Sequence, residues 1–141
     1  MKISELKDKY PKILRDCGAD PRESCMAFGI ECGEGWTDLL DALMESLQWD
    51  TDKNGYPQVV ADQIKEKYGC LRFYYHTEET DESSKVTDPK RYEHMLGSID
   101  GKISFAECMS GQICENCGAK GSIKGIGWFS CRCENCRNSV H

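Results

Sequence analysis

Long apolar runs are absent from this sequence of 141 residues. No segment approaches the roughly 18 to 20 consecutive apolar residues that a membrane-spanning helix needs. The opening stretch, MKISELKDKYPKIL, alternates charged and apolar side chains and so lacks the continuous apolar core of a secretory signal peptide. We therefore expect a protein that acts in the cytoplasm and has no membrane partner.

Basic charge is also scarce. The 18 lysine and arginine residues face 24 aspartate and glutamate residues, which gives a net charge of −6 and a pI near 5.1. Proteins that bind duplex nucleic acid need basic surfaces, because neutralising phosphates supplies most of their affinity. The composition therefore argues against a duplex nucleic-acid partner. One local basic group is interpreted as a solvated loop surface: Lys120, Lys124, Arg132 and Arg137.

The common catalytic motifs are missing as well. The sequence contains no phosphate-binding loop, no Rossmann fingerprint, no His-Glu-x-x-His and no nucleophile elbow. His76, His94 and His141 are isolated from one another in the sequence, so a hydrolytic triad would have to be assembled by the tertiary fold. The sequence gives no positive indication of an enzyme.

Cysteine, in contrast, is abundant, and four of the ten cysteines form two Cys-x-x-Cys pairs separated by fifteen residues. This spacing is typical of zinc sites, and the glycine-rich segment between the pairs predicts a short hairpin. Gly118, directly after the first pair, permits a tight turn that directs backbone N–H groups at the sulfurs. Four thiolates leave no coordination position for water, so we predict one structural Zn²⁺. Its predicted ligands are Cys114, Cys117, Cys133 and Cys136.

The remaining cysteines have no regular ligand spacing. In a chain without a signal peptide they are best interpreted as reduced thiols that pack like small apolar residues. A second metal site built from Cys17, Cys25 and Cys32 stays open as an alternative. Cys131 and His141 lie near the ligands, but the regular pairing predicts that neither binds the metal. The scattered cysteines are Cys17, Cys25, Cys32, Cys70 and Cys108.

Apolar spacing predicts the main elements of the rest of the chain. Residues 36–49 place apolar side chains at helical intervals and form the clearest helix. Residues 58–76 fit two antiparallel strands joined near Gly69, although residues 59–68 also fit a helical period. A second helix is predicted over residues 91–110.

Three further segments are predicted to be irregular or short. Residues 2–16 favour a short helix followed by a bend. The glycines and proline of residues 17–35 indicate turns, with a short extended piece at Met26–Ile30. Residues 77–90 are polar and acidic and are predicted to form an exposed loop.

Together these elements predict an α+β fold with two parts. Residues 1–110 form a body of helices and an antiparallel hairpin. Residues 111–141 form a zinc-binding module, of treble-clef or zinc-ribbon type, that packs on the body.

Two groups of side chains have the chemistry to bind a ligand or a partner. Glu31 and Glu34 stand among glycines just before Trp36, where carboxylates can bind a cation or act as acid and base. The simpler interpretation is turn chemistry with Trp36 in the core. The second group follows the hairpin, where aromatic side chains between basic ones can stack on bases, and its simpler interpretation is a sheet face with cross-strand charge pairs. It comprises Lys65, Lys67, Arg72, Tyr74 and His76.

The order of several motifs resembles that of a family of small proteins encoded by bacteriophages and prophages. Members of that family look like ECGDGW, Q-[IV]-KEKFG-x-LRFY and CE-x-CG, where this sequence has ECGEGW, QIKEKYGCLRFY and CENCG. The resemblance spans residues 25–136 and implies a viral or mobile-element origin and a zinc module, but little chemistry. It implies that Cys133 and Cys136 form the second ligand pair, where relatives often place histidine last, and that Cys131 has no counterpart among the ligands. At the positions of Cys70 and Cys108, the relatives have small residues instead of cysteine.

Three hypotheses for function follow, and a fourth, nucleic-acid binding through the zinc module, is disfavoured by the acidic net charge. The first is a non-enzymatic zinc-binding protein that engages a host or viral partner protein, and a flat apolar patch would favour it. The second is a protein that binds or sequesters a small nucleotide-type ligand, which a deep pocket lined by Arg72 and Tyr74 would favour. The third is a metal-dependent hydrolase that uses Glu31 and Glu34, which carboxylates converging within reach of a metal would favour.

Overall fold

The structure is a computed structural model that describes residues 1–138. Within this range it confirms the predicted α+β class. No helix in the described part of the chain combines the length and apolar character needed to cross a membrane. The helices and strands are α1 Leu6–Lys9, α2 Thr37–Asn54, β1 Gln58–Lys67, β2 Cys70–Glu78, α3 Pro89–Ser110, β3 Ser122–Ile126, β4 Trp128–Arg132 and α4 Glu134–Asn138. Short 3-10 turns occupy Ile3–Glu5, Cys25–Phe28, Glu34–Trp36 and Ser83–Lys85.

Helix α2 begins at Thr37, one residue after the predicted start, and continues five residues past the predicted end at residue 49. Its last turn is polar yet helical, because side chains four residues apart bond to each other: Asn54 Nδ2 donates to Asp50 Oδ1 at 2.8 Å. The helix ends at Gly55, whose φ of +74° is a left-handed conformation that glycine adopts readily. The buried stripe of α2 comprises Leu40, Leu43, Met44 and Leu47.

Strands β1 and β2 pair antiparallel, which confirms the hairpin and excludes the helical alternative. The connecting residues Tyr68 and Gly69 have φ values of +55° and +85°. Positive φ at both central residues is the requirement of the two-residue turn whose twist matches antiparallel strands. Lys65 lies directly opposite Arg72 across the ladder. The side chains of the hairpin that are buried in the core include Ile64, Leu71 and Phe73.

The short extended piece predicted at Met26–Ile30 is wrong. Residues Cys25–Phe28 form a 3-10 turn instead, and the Ser24 side chain accepts the Met26 N–H at 3.1 Å. A serine at this position favours a helical turn because it satisfies a donor that the turn leaves free. Met26 is buried in the core as a result.

Helix α3 begins at Pro89, two residues before the predicted start, in a segment that was assigned to the exposed loop. The Asp88 carboxylate accepts the Lys90 N–H at 3.0 Å, and proline suits the first turn of a helix because it lacks the N–H that would be unpaired there. Lys102 on α3 forms an ion pair with Asp50 on α2, so the two helices are joined at their polar margin.

A hydrophobic core forms where α2, α3 and the β1–β2 hairpin pack together. Residues from outside these three elements also belong to it. Leu6 and Ile13 come from the N-terminal segment, and Trp36 comes from the turn before α2. Cys131 of β4 lies in the same core, so the C-terminal hairpin is packed against the rest of the protein.

Candidate metal centre

The four cysteines predicted as metal ligands lie together. Their Sγ atoms are all within 4.8 Å of one another, and Cys117 Sγ is 3.6 Å from Cys133 Sγ. A tetrahedral ion with sulfur at about 2.3 Å would place the sulfurs about 3.8 Å apart, so the cluster has the dimensions of a four-coordinate metal site. Among residues 1–138 it is the one group of three or more His, Cys, Asp or Glu side chains with such a geometry.

Two local structures present these sulfurs. The first pair lies on a tight turn in which the Gly118 N–H donates to the Cys114 carbonyl at 2.9 Å, and Gly118 has the left-handed φ of +85°. The second pair lies at the start of α4, where the Cys136 N–H points at Cys133 Sγ at 3.4 Å. The β3–β4 hairpin connects them. A turn, a hairpin and a helix in this order form a treble clef rather than a zinc ribbon.

Hydrogen-bond donors surround the sulfurs. The Asn116 side-chain Nδ2 donates to Cys136 Sγ at 3.2 Å. Burial opposes ionisation of Cys114, but backbone N–H groups of Cys133, Cys117 and Asn116 outweigh it and lower the pKa of this thiol to about 6. The thiolate is the form of cysteine that binds metals, so the backbone favours the ligand state of Cys114.

Cys131 lies between the ligands in sequence but outside the cluster. Its side chain is 0% exposed, and its Sγ donates to the Ile113 carbonyl at 3.1 Å. The structure therefore gives Cys131 a packing position. His141, the other neighbour considered, lies outside the described residues. The alternative second site is not assembled in the described part of the chain, since no metal-binding group there includes Cys17, Cys25 or Cys32.

The ECGEGW segment packs directly on the first Cys-x-x-Cys turn, a contact that no local sequence pattern reveals. The Gly33 N–H donates to Glu115 Oε2 at 2.8 Å, and the Gly35 N–H donates to the Glu115 carbonyl at 2.7 Å. A Cβ atom on Gly35 would lie 2.0 Å from the Cys114 carbonyl oxygen, and one on Gly33 would lie 2.4 Å from that of Glu115. Such close backbone contact requires glycine at both positions. We call residues 33–35 the glycine platform.

Trp36 extends this contact into the core. Its ring is fully buried, and its Nε1–H donates to the Ile113 carbonyl at 2.9 Å, immediately before the first ligand. Burial raises the pKa of Glu115, while the Gly33 N–H stabilises the charged carboxylate. The metal-binding turn is thus anchored to the body by backbone, carboxylate and indole contacts together.

Of the two residues proposed for acid–base or metal chemistry, Glu34 uses its carboxylate to bind another segment, and Glu31 is held through its backbone. Both carboxylate oxygens of Glu34 accept the Ile3 N–H, at 2.9 and 3.3 Å. The Glu31 N–H donates to the Ile64 carbonyl at 2.9 Å, and its carbonyl accepts the Glu66 N–H at 3.1 Å. Within residues 1–138 neither carboxylate belongs to a group with metal-binding geometry. The contacts of Glu31 and Glu34 join chain segments, and they do not favour the hydrolase hypothesis.

The basic and aromatic side chains of the β1–β2 hairpin lie close together. Lys65 and Arg72 occupy opposite positions on the two strands, and Lys65 Nζ is 6.0 Å from the centre of the Tyr74 ring. Neither cation forms an ion pair with any residue that the structure describes. Only His76, further along β2, contacts carboxylates, at 2.7 and 3.0 Å. The cross-strand charge pairs considered for this face are therefore absent at Lys65 and Arg72.

The turn of the first hairpin packs against the second hairpin. A Cβ atom on Gly69 would lie 2.8 Å from the side chain of Ile123, which pairs with Cys131 near the open end of the second hairpin. A cleft of about 240 Å³ beside this contact is lined by Lys65, Lys67, Tyr68, Trp128 and Phe129. Several large apolar side chains around it are exposed to solvent, including Ile126 at 101%, Trp128 at 78% and Tyr68 at 66%. We call Tyr68, Ile126, Trp128 and Phe129 the tip surface.

Comparison with known proteins places the chain in no family. No family model, no curated protein and no solved structure matches the chain. What the protein does must therefore be inferred from its own residues and their contacts.

Removal of the metal is expected to unfold the metal-binding part and to leave the body folded. Every residue of β3 is exposed, so the hairpin has little apolar burial of its own, whereas a bound zinc ion supplies on the order of 10 kcal/mol to a small module. Hydrogen exchange before and after a chelator should show lost protection from about Cys114 onward, including the amides near Trp128. The amides of residues 39–47 in α2 should keep theirs, because that helix packs in the core.

Fluorescence supplies an independent reading of the same experiment. Replacing Trp49 and Trp128, both exposed, with phenylalanine leaves Trp36 as the single tryptophan. The emission of Trp36 should change on chelation only to the extent that the hydrogen bond from its Nε1–H to the Ile113 carbonyl is lost. Equal loss of protection in residues 39–47 and near Trp128 would show that body and module unfold as one unit.

Proposed function

We propose that the protein is a non-enzymatic zinc-binding protein in which the metal has a structural role. Four closely spaced cysteine sulfurs support this assignment, because zinc takes four thiolates in a tetrahedral arrangement. With all four positions filled by protein sulfur, the ion has no open position at which to activate water. One Zn²⁺ per chain is proposed.

We further propose that the protein engages a partner protein through the tip surface. The supporting observation is the exposure of Ile126, Trp128 and Tyr68 at two hairpin turns, of which Tyr68 and Trp128 line the same cleft. Contiguous exposed apolar patches on folded proteins mark interaction sites, and tryptophan and tyrosine dominate the binding energy of protein interfaces. Folding gains little from these side chains in the free protein, since they remain in water.

The second hypothesis, a small nucleotide-type ligand, has one observation in its favour. Lys65 and Lys67 lie over the rings of Tyr74 and Tyr68, at 6.0 and 5.6 Å, which is the chemistry that a base and its phosphates require. The adjoining cleft of about 240 Å³ is smaller than the roughly 300 to 1,000 Å³ of ligand pockets, and Arg72 and Tyr74 do not line it. The partner-protein hypothesis is therefore preferred.

The resemblance to bacteriophage and prophage proteins supports a proposal about setting. A phage-encoded protein of this kind would act in the cytoplasm of the host cell. Its partner would then be a host protein or another viral protein.

Affinity purification from the natural host cell, followed by quantitative mass spectrometry, tests the tip surface. The variant I126S/Y68N removes two exposed side chains, and asparagine tolerates the left-handed backbone at position 68. Proteins that bind the unmodified chain should be depleted by about tenfold or more, because single interface anchors contribute about 2 kcal/mol or more.

The matched control is F105S, which removes an exposed phenylalanine (68% exposed) from α3. It should retain the same proteins, and both variants should retain one metal ion per chain. Depletion that is equal in the two variants, or no protein whose retention depends on the tip surface, would contradict the proposal.

A further inference from the structure

The charge of the chain is unevenly distributed. Residues 1–110 hold 14 basic and 22 acidic residues, whereas residues 111–138 hold four basic and two acidic ones. Four thiolates and a divalent ion would add a formal charge of about −2 at the metal cluster. The location of the four basic side chains therefore matters more than the net charge of residues 111–138. All four cations line one shallow cavity of about 440 Å³, in which Glu134 is the one acidic lining residue. They are Lys120, Lys124, Arg132 and Arg137.

These cations form no ion pairs within residues 1–138, although the charge of Arg132 acts on the Glu115 carboxylate. The Arg137 guanidinium donates to three hairpin carbonyl oxygens at 2.8, 3.3 and 3.4 Å, so it is fixed in place without meeting a carboxylate. Lys120, Lys124 and Arg132 are exposed and form no ion pair with any of residues 1–138. Their charge is available to a ligand.

Strand geometry adds an aromatic side chain to the same face. Alternate residues of a strand share one side, so Trp128, Ser130 and Arg132 lie together on β4, and Lys124 lies opposite Ser130 on β3. Cys131, on the other side of β4, is buried in the core, so the Trp128 side faces outward. Trp128 lies about 13 Å along the strand from Arg132. We call Lys120, Lys124, Trp128, Arg132 and Arg137 the outer face.

We propose that the outer face binds single-stranded nucleic acid, with phosphates on its cations and a base stacked on Trp128. A positively charged groove combined with exposed aromatic side chains is the arrangement that binds single strands without sequence preference. A duplex hides the faces of its bases from Trp128, and the net charge of −6 opposes its dense phosphate charge. The outer face shares Trp128 with the tip surface, but its cations lie outside the tip surface, so this proposal does not require a partner protein.

Fluorescence anisotropy with the full, zinc-loaded chain tests this proposal. The probes are fluorescein-labelled oligo-dT and oligo-U of about 16 nucleotides and a duplex of the same length. Both single strands should bind more tightly than the duplex, and the difference between them shows whether DNA or RNA is preferred. Between about 50 and 200 mM salt, log affinity should fall against log salt with a slope of about −2.8, since each of the four neutralised phosphates contributes about −0.7.

Two variants separate charge from stacking. K124S/R132S should reduce the slope by about 1.4 and weaken binding, because it removes two phosphate contacts. W128S should weaken binding by about fivefold or more with an unchanged slope, because only the stacked base is lost. The control K90S/R91S removes one exposed lysine and one exposed arginine at the start of α3 and should bind like the unmodified chain.

Several outcomes would overturn the proposal. They are no binding at about 50 mM salt, duplex binding as tight as single-strand binding, an equal loss in K90S/R91S, or an unchanged slope in K124S/R132S. Binding of an acidic phosphopeptide as tight as that of oligo-dT would also overturn it, since the outer face would then be a general anion surface. The single change Y68N, which alters the tip surface on the first hairpin and no residue of the outer face, should bind oligo-dT normally, so failure of the partner-protein proposal and failure of this one are distinguishable.

Discussion

Replacing Cys114 or Cys136 with serine should remove the metal from the protein, whereas replacing Cys131 should leave it bound. Each of the first two changes takes one sulfur from a cluster in which all four lie within 4.8 Å. Because a structural zinc supplies on the order of 10 kcal/mol to a small module, loss of the ion should also unfold the β3–β4 hairpin. Native mass spectrometry of the purified variants reports the metal and its stoichiometry, with one zinc expected in the unmodified chain.

C131S is the matched control because it changes a neighbouring cysteine that is not a member of the cluster. Serine keeps a donor for the Ile113 carbonyl that Cys131 contacts at 3.1 Å, so the hydrogen bond can be preserved. Loss of metal from C131S equal to that from C114S would show that the ligand set is wrong. An ion other than zinc in the unmodified chain would leave the cluster in place but overturn its proposed metal.

The substitution G35A should destabilise the protein by about 3 kcal/mol and loosen the metal-binding turn. The new methyl group would meet the Cys114 carbonyl oxygen at 2.0 Å and the Glu115 backbone at 2.6 Å. Neither backbone segment can move without breaking the bond from the Gly35 N–H to the Glu115 carbonyl, so the overpacking cannot be relieved by rotating a side chain. Chemical denaturation measures the loss, and metal retention during dialysis shows whether the turn has shifted.

The same substitution at Gly97 provides a control with the opposite sign. Gly97 lies inside α3 with no atom within 4 Å of the Cβ position. Alanine there should stabilise the protein by about 0.5 to 1 kcal/mol, because alanine favours the helix and restricts the unfolded chain. If G35A proved as harmless as G97A, the close contact between the glycine platform and the metal-binding turn would not exist in solution.

Local spacing made part of this architecture predictable. The cysteine pairs, the left-handed Gly118 and the Tyr68–Gly69 turn each depend on residues that are neighbours in sequence, and each appears where the sequence placed it. The end of α2 was misplaced because hydrophobic spacing fades at Asp50, while hydrogen bonds between polar side chains and the cap at Gly55 extend the helix. Helix boundaries respond to such contacts more than to apolar periodicity.

The role of ECGEGW was beyond local reasoning. Gly33 and Glu115 are separated by 82 positions, and no spacing rule links a glycine-rich turn to a distant Cys-x-x-Cys turn. Glycines beside carboxylates suggested a ligand site, but the groups that approach them are the backbone atoms of Cys114 and Glu115. The exposure of Trp128 was equally hidden, since an aromatic residue in a strand is ordinarily expected to be buried.

The burial of Cys131 has a consequence for the order of events during synthesis. Among the core residues that the structure describes, Cys131 is the one translated last, and Leu6 is the one translated first. The nascent chain can form α2 and the first hairpin early. The Trp36 side chain can make its hydrogen bond only after Ile113 has been translated, and one side of the core is uncovered until β4 has been translated. Contacts this distant in sequence form slowly because they close long loops. Cys136, one of the four clustered cysteines, is translated later still, so metal capture would follow the folding of the body and hold β4 against it.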